Sequence, residues 1–364
     1  MSIETIEITD SEDPRLADYV GLSDPEIRRR AEDNDFFISE GVEVVRRLVT
    51  SEMRLRSILL SPNRVDIMIP ALANVTCPIY VAERRVISGV VGFDMHRGVV
   101  GSAFRPNQLS LDEILSHPPL YGQRHRLAIL QGLGDHENLG AIARSARAFH
   151  IDAIVIDPTC ADPYYRRTVR VSMGEILFIP VVRMEIETAM AVIRRKSGTV
   201  VALTPNPQTP SILDFQVSNP GPLGLIFGAE GPGLPEETLT SADVQLHIPI
   251  AHDVDSLNVG HAAAVAFASV ANAGIVNKPV KMYENGSQVA SFWVSTYLVE
   301  ATVMQQSGSN PDDYYGLSVD MRDTSMTVTA DWDIVAPSGI QIGLITWSFV
   351  LPTNIQFTSF TVAS

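Results

Sequence analysis

Three short segments hold the residue types best suited to chemistry: NLGAIAR (138–144), FGAEGPGLP (227–235) and IPIAHDVDSLNVG (248–260). The first follows an apolar strand pattern at 126–132 and opens a helix expected to start near Asn138. Unpaired N–H groups in a first helical turn suit an anion. Asn138 also reads as a simple helix cap, and Arg144 as a surface ion-pair residue. In the second segment Gly228, Gly231 and Gly233 allow tight turns and close approach of a ligand to the backbone, with Glu230 at the turn centre. A plain tight loop fits that spacing equally well. In the third, Ser256 and Asn258 with the free amides of a helix start can hold a polar edge, or serve only as cap and loop bonds.

Other chemistries lack their residues. His252 and His261 stand nine apart with no third ligand at metal spacing, and His261 on an Ala-rich helix reads as packing or capping. Cys77 and Cys160 form no metal cluster and read as free, partly buried thiols. No metal is expected. No G-x-S-x-G elbow or HExxH occurs. The 227–235 loop is not the G-x-G-x-x-G fingerprint, which opens a helix directly after a first strand, so a dinucleotide oxidoreductase is set aside.

The elements around these loops have a clear rhythm. Over 126–275, the strand patterns RLAILQGL, DAIVID, ILFIPVV, TVVALTP, LGLIFG and VQLHIPI alternate with helical ones, including MEIETAMAVIRRKSG, which stops at Gly198, and an Ala-rich helix beginning around 256–258. Near-continuous apolar strands between helices predict a mostly parallel sheet covered on both faces. Residues 20–106 read as a smaller α/β domain, with helical spacing at Val42, Val45, Leu48 and Val49 and strands in RSILLSP, PIYVAE and GVVGSAF. Residues 1–19 read as an acidic leader and 107–125 as a proline-bearing linker. Residues 276–364 hold all three tryptophans and alternate Thr, Ser and Val with aromatics, which predicts a β-rich extension of unknown role, with an interface element and a ligand-binding module as its two readings.

The chain has 364 residues and a formal charge of −15, which argues against gripping nucleic acid over its whole surface. Only residues 36–126 lean basic, with 11 arginines and no lysine against 8 acids. Guanidinium forks suit phosphate, and a solvated face suits the same count. No apolar run reaches the ~20 residues that span a bilayer, and the acidic start is unlike an export signal, so no membrane partner and a cytoplasmic location are expected.

In order and spacing, the three segments together resemble the signature motifs of the SpoU (TrmH) branch of the SPOUT RNA methyltransferases. The resemblance covers 126–275, and the front domain is similar to that family's ribosomal-protein-like substrate-binding domain. The resemblance implies an α/β fold with a trefoil-knotted, mostly parallel sheet, a homodimer, and S-adenosyl-L-methionine as cofactor. It implies a cofactor pocket from Leu225, Ile226, Phe227, Gly228, Ala229, Glu230, Gly231 and Gly233, from Ile248, Pro249 and Ile250, and from Ser256, Leu257, Asn258, Gly260 and His261. Catalytic roles fall on Asn138, Arg144, Glu230, Ser256 and Asn258, with Arg144 approaching the target ribose, in one arrangement from the second subunit.

The implied reaction is methyl transfer to a ribose 2′-hydroxyl of rRNA or tRNA, without a metal. An arginine, with a pKa above ~12, stabilises a developing alkoxide more readily than it acts as a base. Two departures stand out. The third motif reads SLNVG where the family usually has SLNVS, which removes a hydroxyl at Gly260. Residues 276–364 have no counterpart in the family. With the acidic balance, these motivate the alternative of a non-catalytic RNA- or ribosome-binding member of the same fold.

Overall fold

The computed structural model describes residues 4–22, 35–119, 124–217 and 219–272, and beyond them the strands lying between 278 and 363. Two compact units divide the chain, Met1–Asn272 and Ala273–Ser364.

The first unit contains two sheets. The front sheet is built from β1 (Ile6–Ile8), β2 (Phe36–Glu40), β3 (Leu55–Leu60), β4 (Ile79–Ala82) and β5 (Val99–Phe104), in the order β1-β4-β3-β5-β2. β1, β4 and β3 run parallel, and β5 lies antiparallel to β3 and β2. Helices α1 (Val42–Thr50), α2 (Pro62–Leu72) and α3 (Arg84–Val91) connect these strands. Phe36–Glu40 pairs with β5, and Gly41 at φ +102° turns the chain into α1.

The expected acidic leader is also corrected. Ile6–Ile8 is an edge strand on β4, and Leu16 and Tyr19 are fully buried in a 3-10 turn over Pro14–Tyr19. The Tyr19 hydroxyl lies 2.7 Å from Ser57 Oγ, and Arg56 donates to Asp18 at 2.7 Å. The segment thus forms part of the front core. The helix-like stretch LSDPEIRRRAE, apart from its leucine, lies outside the described residues.

The expected linker is corrected as well. Ser110 and Glu113 make a reciprocal capping box at α4 (Leu111–Ile114), and Leu111 and Leu115 are buried against the second sheet's helix layer.

The second sheet comprises β6 (Arg126–Leu130), β7 (Ala153–Ile156), β8 (Val181–Arg183), β9 (Thr199–Leu203), β10 (Leu223–Phe227) and β11 (Val244–Leu246), in the order β11-β9-β10-β6-β7-β8. Every pair is parallel. Connecting helices are α5 (His136–Ala148), α6 (Arg166–Val171), α7 (Ile186–Arg195) and α8 (Glu236–Ser241), and α9 (Val259–Asn272) follows β11. Alternate residues of each strand face opposite layers. Ala128, Leu130, Leu225 and Phe227 meet α5 and α9, while Leu127, Ile129, Val200 and Ile226 meet α7. Small residues bring α5 and α9 together: Ala143, Ala146, Ala263 and Ala266 are all fully buried.

Two strand expectations shorten. In ILFIPVV, Glu175–Phe178 is a 3-10 turn and only Val181–Arg183 pairs with β7. β11 pairs with β9 as far as Leu246, His247 makes one isolated parallel bridge to Ser211, and Ile248–Ile250 belongs to a loop. In the second unit, β12 (Lys278–Glu284), β13 (Ser287–Val294), β14 (Val299–Gln305), β15 (Tyr315–Asp320) and β16 (Ser359–Ala363) form an antiparallel sheet, in line with the β-rich reading.

Leu16→Ala tests whether the start of the chain is structural. Removing a fully buried leucine side chain costs about 2–5 kcal/mol in urea unfolding. A change within about 0.5 kcal/mol, as at a free surface, contradicts the docked segment.

Candidate active site

β10 lies between β6 and β9, so the strand order reverses there and the loops beyond the carboxyl ends of the strands spread apart. Open parallel sheets place ligands at such a crevice. The crevice here is a cavity of ≈520 Å³, within the ordinary range for small-molecule sites. Of the expected cofactor residues, Phe227, Gly228, Ala229, Glu230, Gly231, Gly233, Ile248, Ile250, Ser256, Leu257 and Asn258 line it. Leu225 and Ile226 are instead buried within β10, one in each apolar layer. Pro249 and His261 are exposed and Gly260 is buried, all three outside the lining.

The wall also includes Leu203, Thr204 and Pro205 at the end of β9, together with Leu239 and Ala262. The β9 residues were legible in TVVALTP as a strand end, but only the sheet order shows that this strand borders the crevice.

Backbone geometry shapes the 228–234 loop. Gly231 and Gly233 have φ of +87° and +70°. A side chain at Gly228 would meet the Gly233 carbonyl carbon at 2.4 Å and Leu234 N at 2.5 Å. The Gly233 N–H donates to the Ala229 carbonyl, closing the turn.

One side chain joins the three segments. Asn258 Nδ2 donates to Asn138 Oδ1 at 2.9 Å and to Glu230 Oε1 at 2.7 Å. Its Oδ1 accepts from the N–H groups of Gly260 at 2.9 Å and His261 at 3.3 Å. The cap of α9 is therefore Asn258, and Ser256 lies in the preceding exposed loop. The cap expected at Asn138 is likewise replaced. α5 begins two residues earlier, where Asp135 Oδ1 accepts from Glu137 N and Asn138 N, both at 2.8 Å. Asn138 sits inside the first turn, buried and turned toward α9.

Gly260 gains a packing role. A Cβ there would stand 3.1 Å from Asn258 Oδ1 and 3.2 Å from Ala141 Cβ, tighter than ordinary contact. Arg144 occupies the exposed face of α5 and does not line the cavity of its own chain. Among the described residues, no group of three or more His, Cys, Asp or Glu is gathered as metal ligands.

Asp157, at the end of β7, went unnoticed in the sequence, although a strand running into DPT is a turn signal. Its carboxylate accepts from Gly132 N, Thr159 N, Thr159 Oγ1 and Cys160 N at 2.8–2.9 Å. These bonds tie the loop entering α5 to the next strand. Burial pushes the Asp157 carboxyl up, but the hydrogen bonds from Thr159, Gly132 and Cys160 outweigh it and hold it below the usual carboxylate range. Burial pushes the Cys160 thiol up to about 11, which leaves it protonated and unreactive at neutral pH.

The SpoU rRNA methylase family pattern matches residues 125–268. An uncharacterized tRNA/rRNA methyltransferase of Mycobacterium tuberculosis is 35% identical over 270 residues, covering 73% of this chain and 91% of that protein. The 23S rRNA (guanosine-2′-O-)-methyltransferase RlmB of Haemophilus influenzae is 27% identical over 62% of this chain and 93% of that protein. An AdoMet-bound rRNA methyltransferase from Sinorhizobium meliloti superposes with a TM-score of 0.59 over 74% of this chain and 97% of that one, at 24% identity. The chain belongs to the SpoU family of SPOUT methyltransferases.

Asn258→Ala removes the cap of α9 and both cross-links. Stability falls by about 1–2 kcal/mol in urea unfolding. Asp157→Asn alters the acid response. A depressed folded pKa stabilises fully above the unfolded value of about 4, and that contribution fades as pH falls through the folded pKa. The gap in urea midpoint between wild type and Asp157→Asn is therefore widest at neutral pH and closes in acid. A gap independent of pH contradicts the assignment.

Proposed function

We propose that this chain is an S-adenosyl-L-methionine-dependent RNA methyltransferase that modifies a ribose 2′-hydroxyl in rRNA or tRNA and works as a homodimer. The observation that carries this reading is the Asn138–Asn258–Glu230 link, which draws all three family motifs to the mouth of one ≈520 Å³ cavity. The names of the curated relatives point to the same chemistry.

The residues fit such a cofactor. Phe227, Leu239, Ile248, Ile250 and Ala262 supply an apolar wall for a flat ring, while the glycine turn and the 256–258 segment offer backbone and side-chain polar groups. When bound, the cofactor supplies a methyl group activated on a sulfonium. The chain's task is to align the acceptor oxygen, exclude water and steady developing negative charge. Asn258 holds the Glu230 loop and α5 in register. The deep trefoil threading implied by the motifs belongs to this reading, with the 228–234 and 247–258 loops as its crossing segments.

Arg144 lies on the exposed face of α5, outside the lining of its own cavity, which supports the reading that a second subunit presents it to the ribose. Leu257, Val254 and Val265, large apolar residues exposed in the third motif and on α9, offer surface for that association. A charged guanidinium there lowers the cost of forming the alkoxide.

Calorimetry with S-adenosyl-L-methionine and methyl incorporation into total RNA from a strain lacking the gene test the activity. Arg144→Ala keeps cofactor binding and loses transfer. A correctly folded dimer that binds no cofactor overturns the catalytic reading in favour of a non-catalytic RNA-binding role. Mixing Arg144→Ala with an inactive cavity variant, Gly228→Val, restores about a quarter of wild-type activity, because half the dimers are mixed and each has one complete site. No recovery in mixed dimers places Arg144 elsewhere.

A further inference from the structure

A concentration of positive charge that the cavity leaves unused lies along YYRRTVRV (164–171). Arg166, Arg167 and Arg170 of α6 line a concave site of ≈260 Å³ together with His136 and Tyr165. The two rings lie 4.3 Å apart between centroids, tilted by 43°. Beneath them Glu40 is 5% exposed. Arg166 Nη1 pairs with its Oε2 at 3.0 Å. Arg97 at 3.6 Å and Arg170 at 3.8 Å stand beyond hydrogen-bond distance from the same carboxylate. Arg167 pairs with Glu137 on the exposed face of α5. Among the described residues, four guanidiniums thus face the carboxylates of Glu40, Glu137 and Asp135, in a chain whose overall charge is strongly negative.

A structural ion pair accounts for Arg166. It does not account for the two further cations drawn toward one buried carboxylate, whose mutual repulsion works against the fold. Other arginines nearby are committed to structure. Arg105 makes a two-pronged pair with Asp162, and Arg183 donates to the carbonyls of Asp157, Pro158 and Cys160. The Arg167 and Arg170 side chains keep 52% and 36% of their surface in solvent. An excess of guanidinium around a concave wall is suited to a phosphodiester, which it meets with paired N–H donors.

We propose that Arg167 and Arg170 grip backbone phosphates of the RNA strand beside the target nucleotide, while Arg166, anchored on Glu40, forms the floor of the site. This rests on reading the chain as an RNA methyltransferase and adds where the strand is held. His136 also borders the adjoining cleft of ≈610 Å³ and stands two residues before Asn138 in the first turn of α5.

The test is the salt dependence of binding to a fluorescent single-stranded oligouridylate, which presents phosphates with one uniform base. Arg167→Gln and Arg170→Gln each lower the slope of log affinity against log salt by about 0.7, the value of one lost contact on a single strand. The double variant weakens binding roughly tenfold near physiological salt. Arg167→Lys keeps the charge and the slope. Arg195→Gln, which removes an exposed arginine paired with Asp112, leaves the slope unchanged.

Unchanged slopes in both glutamine variants, or an equal fall in Arg195→Gln, overturn the proposal. Melting temperatures and cofactor calorimetry on the same proteins separate binding loss from unfolding. Should the wild type transfer no methyl group yet show the slope differences, the catalytic reading falls and the phosphate site stands. Normal methylation by variants with unchanged slopes gives the reverse.

Discussion

The Asn258 side-chain amide is the interaction on which the site depends. Both of its donor hydrogens and its acceptor oxygen are engaged, on Asn138, Glu230 and the first amides of α9. A primary amide suits this place because it gives and accepts at once from one planar group. A carboxylate could accept from the helix but not donate to Glu230, and an ammonium could donate to Glu230 but not accept from the helix start. The link reaches back 120 residues of sequence to Asn138 and 28 to Glu230. One side chain therefore sets the relative position of two loops and a helix, and so the shape of the cavity they enclose.

That link requires close helix packing. α5 and α9 meet through alanines and through Gly260, whose missing Cβ leaves room for Asn258 Oδ1 and Ala141. A serine side chain would crowd the α9–α5 contact at this position, and the Gly260 amide still donates to Asn258. On the opposite side, Asp157 clasps the loop that leads into α5, so the helix carrying Asn138 is held at its entrance as well as along its flank.

The two sheets of the first unit share more than a connection. Phe37, Val44, Leu48 and Ala103 of the front half belong to the same apolar cluster as Leu130, Ile154 and Phe227 of the second sheet. Arginine bonds from Arg47 to Met173 and from Arg105 to Asp162 cross the same seam. The expected boundary between a substrate-binding domain and a methyltransferase domain accordingly falls within one continuous core. The net acidity of the chain also proves a poor guide to its surface, because cations gather locally around Glu40 while many acids lie elsewhere.

Composition and periodicity alone determined that residues 126–275 alternate strands and helices around a parallel sheet, since strands buried on both faces must be apolar throughout. Motif residues in order identified the three loops. Only the tertiary structure decided where elements stop and which loops meet. The apolar run 244–250 satisfies strand patterning over its length, but a strand lasts only while a neighbour offers hydrogen bonds, and after the isolated bridge of His247 to Ser211 the pairing ends. Asp135, Asn138, Ser256 and Asn258 are all able caps by type. Packing of α5 on α9 selected Asp135 and Asn258 for that task and turned Asn138 inward. The leader's role in the front core and the gathering of Arg97, Arg166 and Arg170 around Glu40 were invisible for the same reason: both arise from contacts between residues far apart in the chain, which local pattern does not encode.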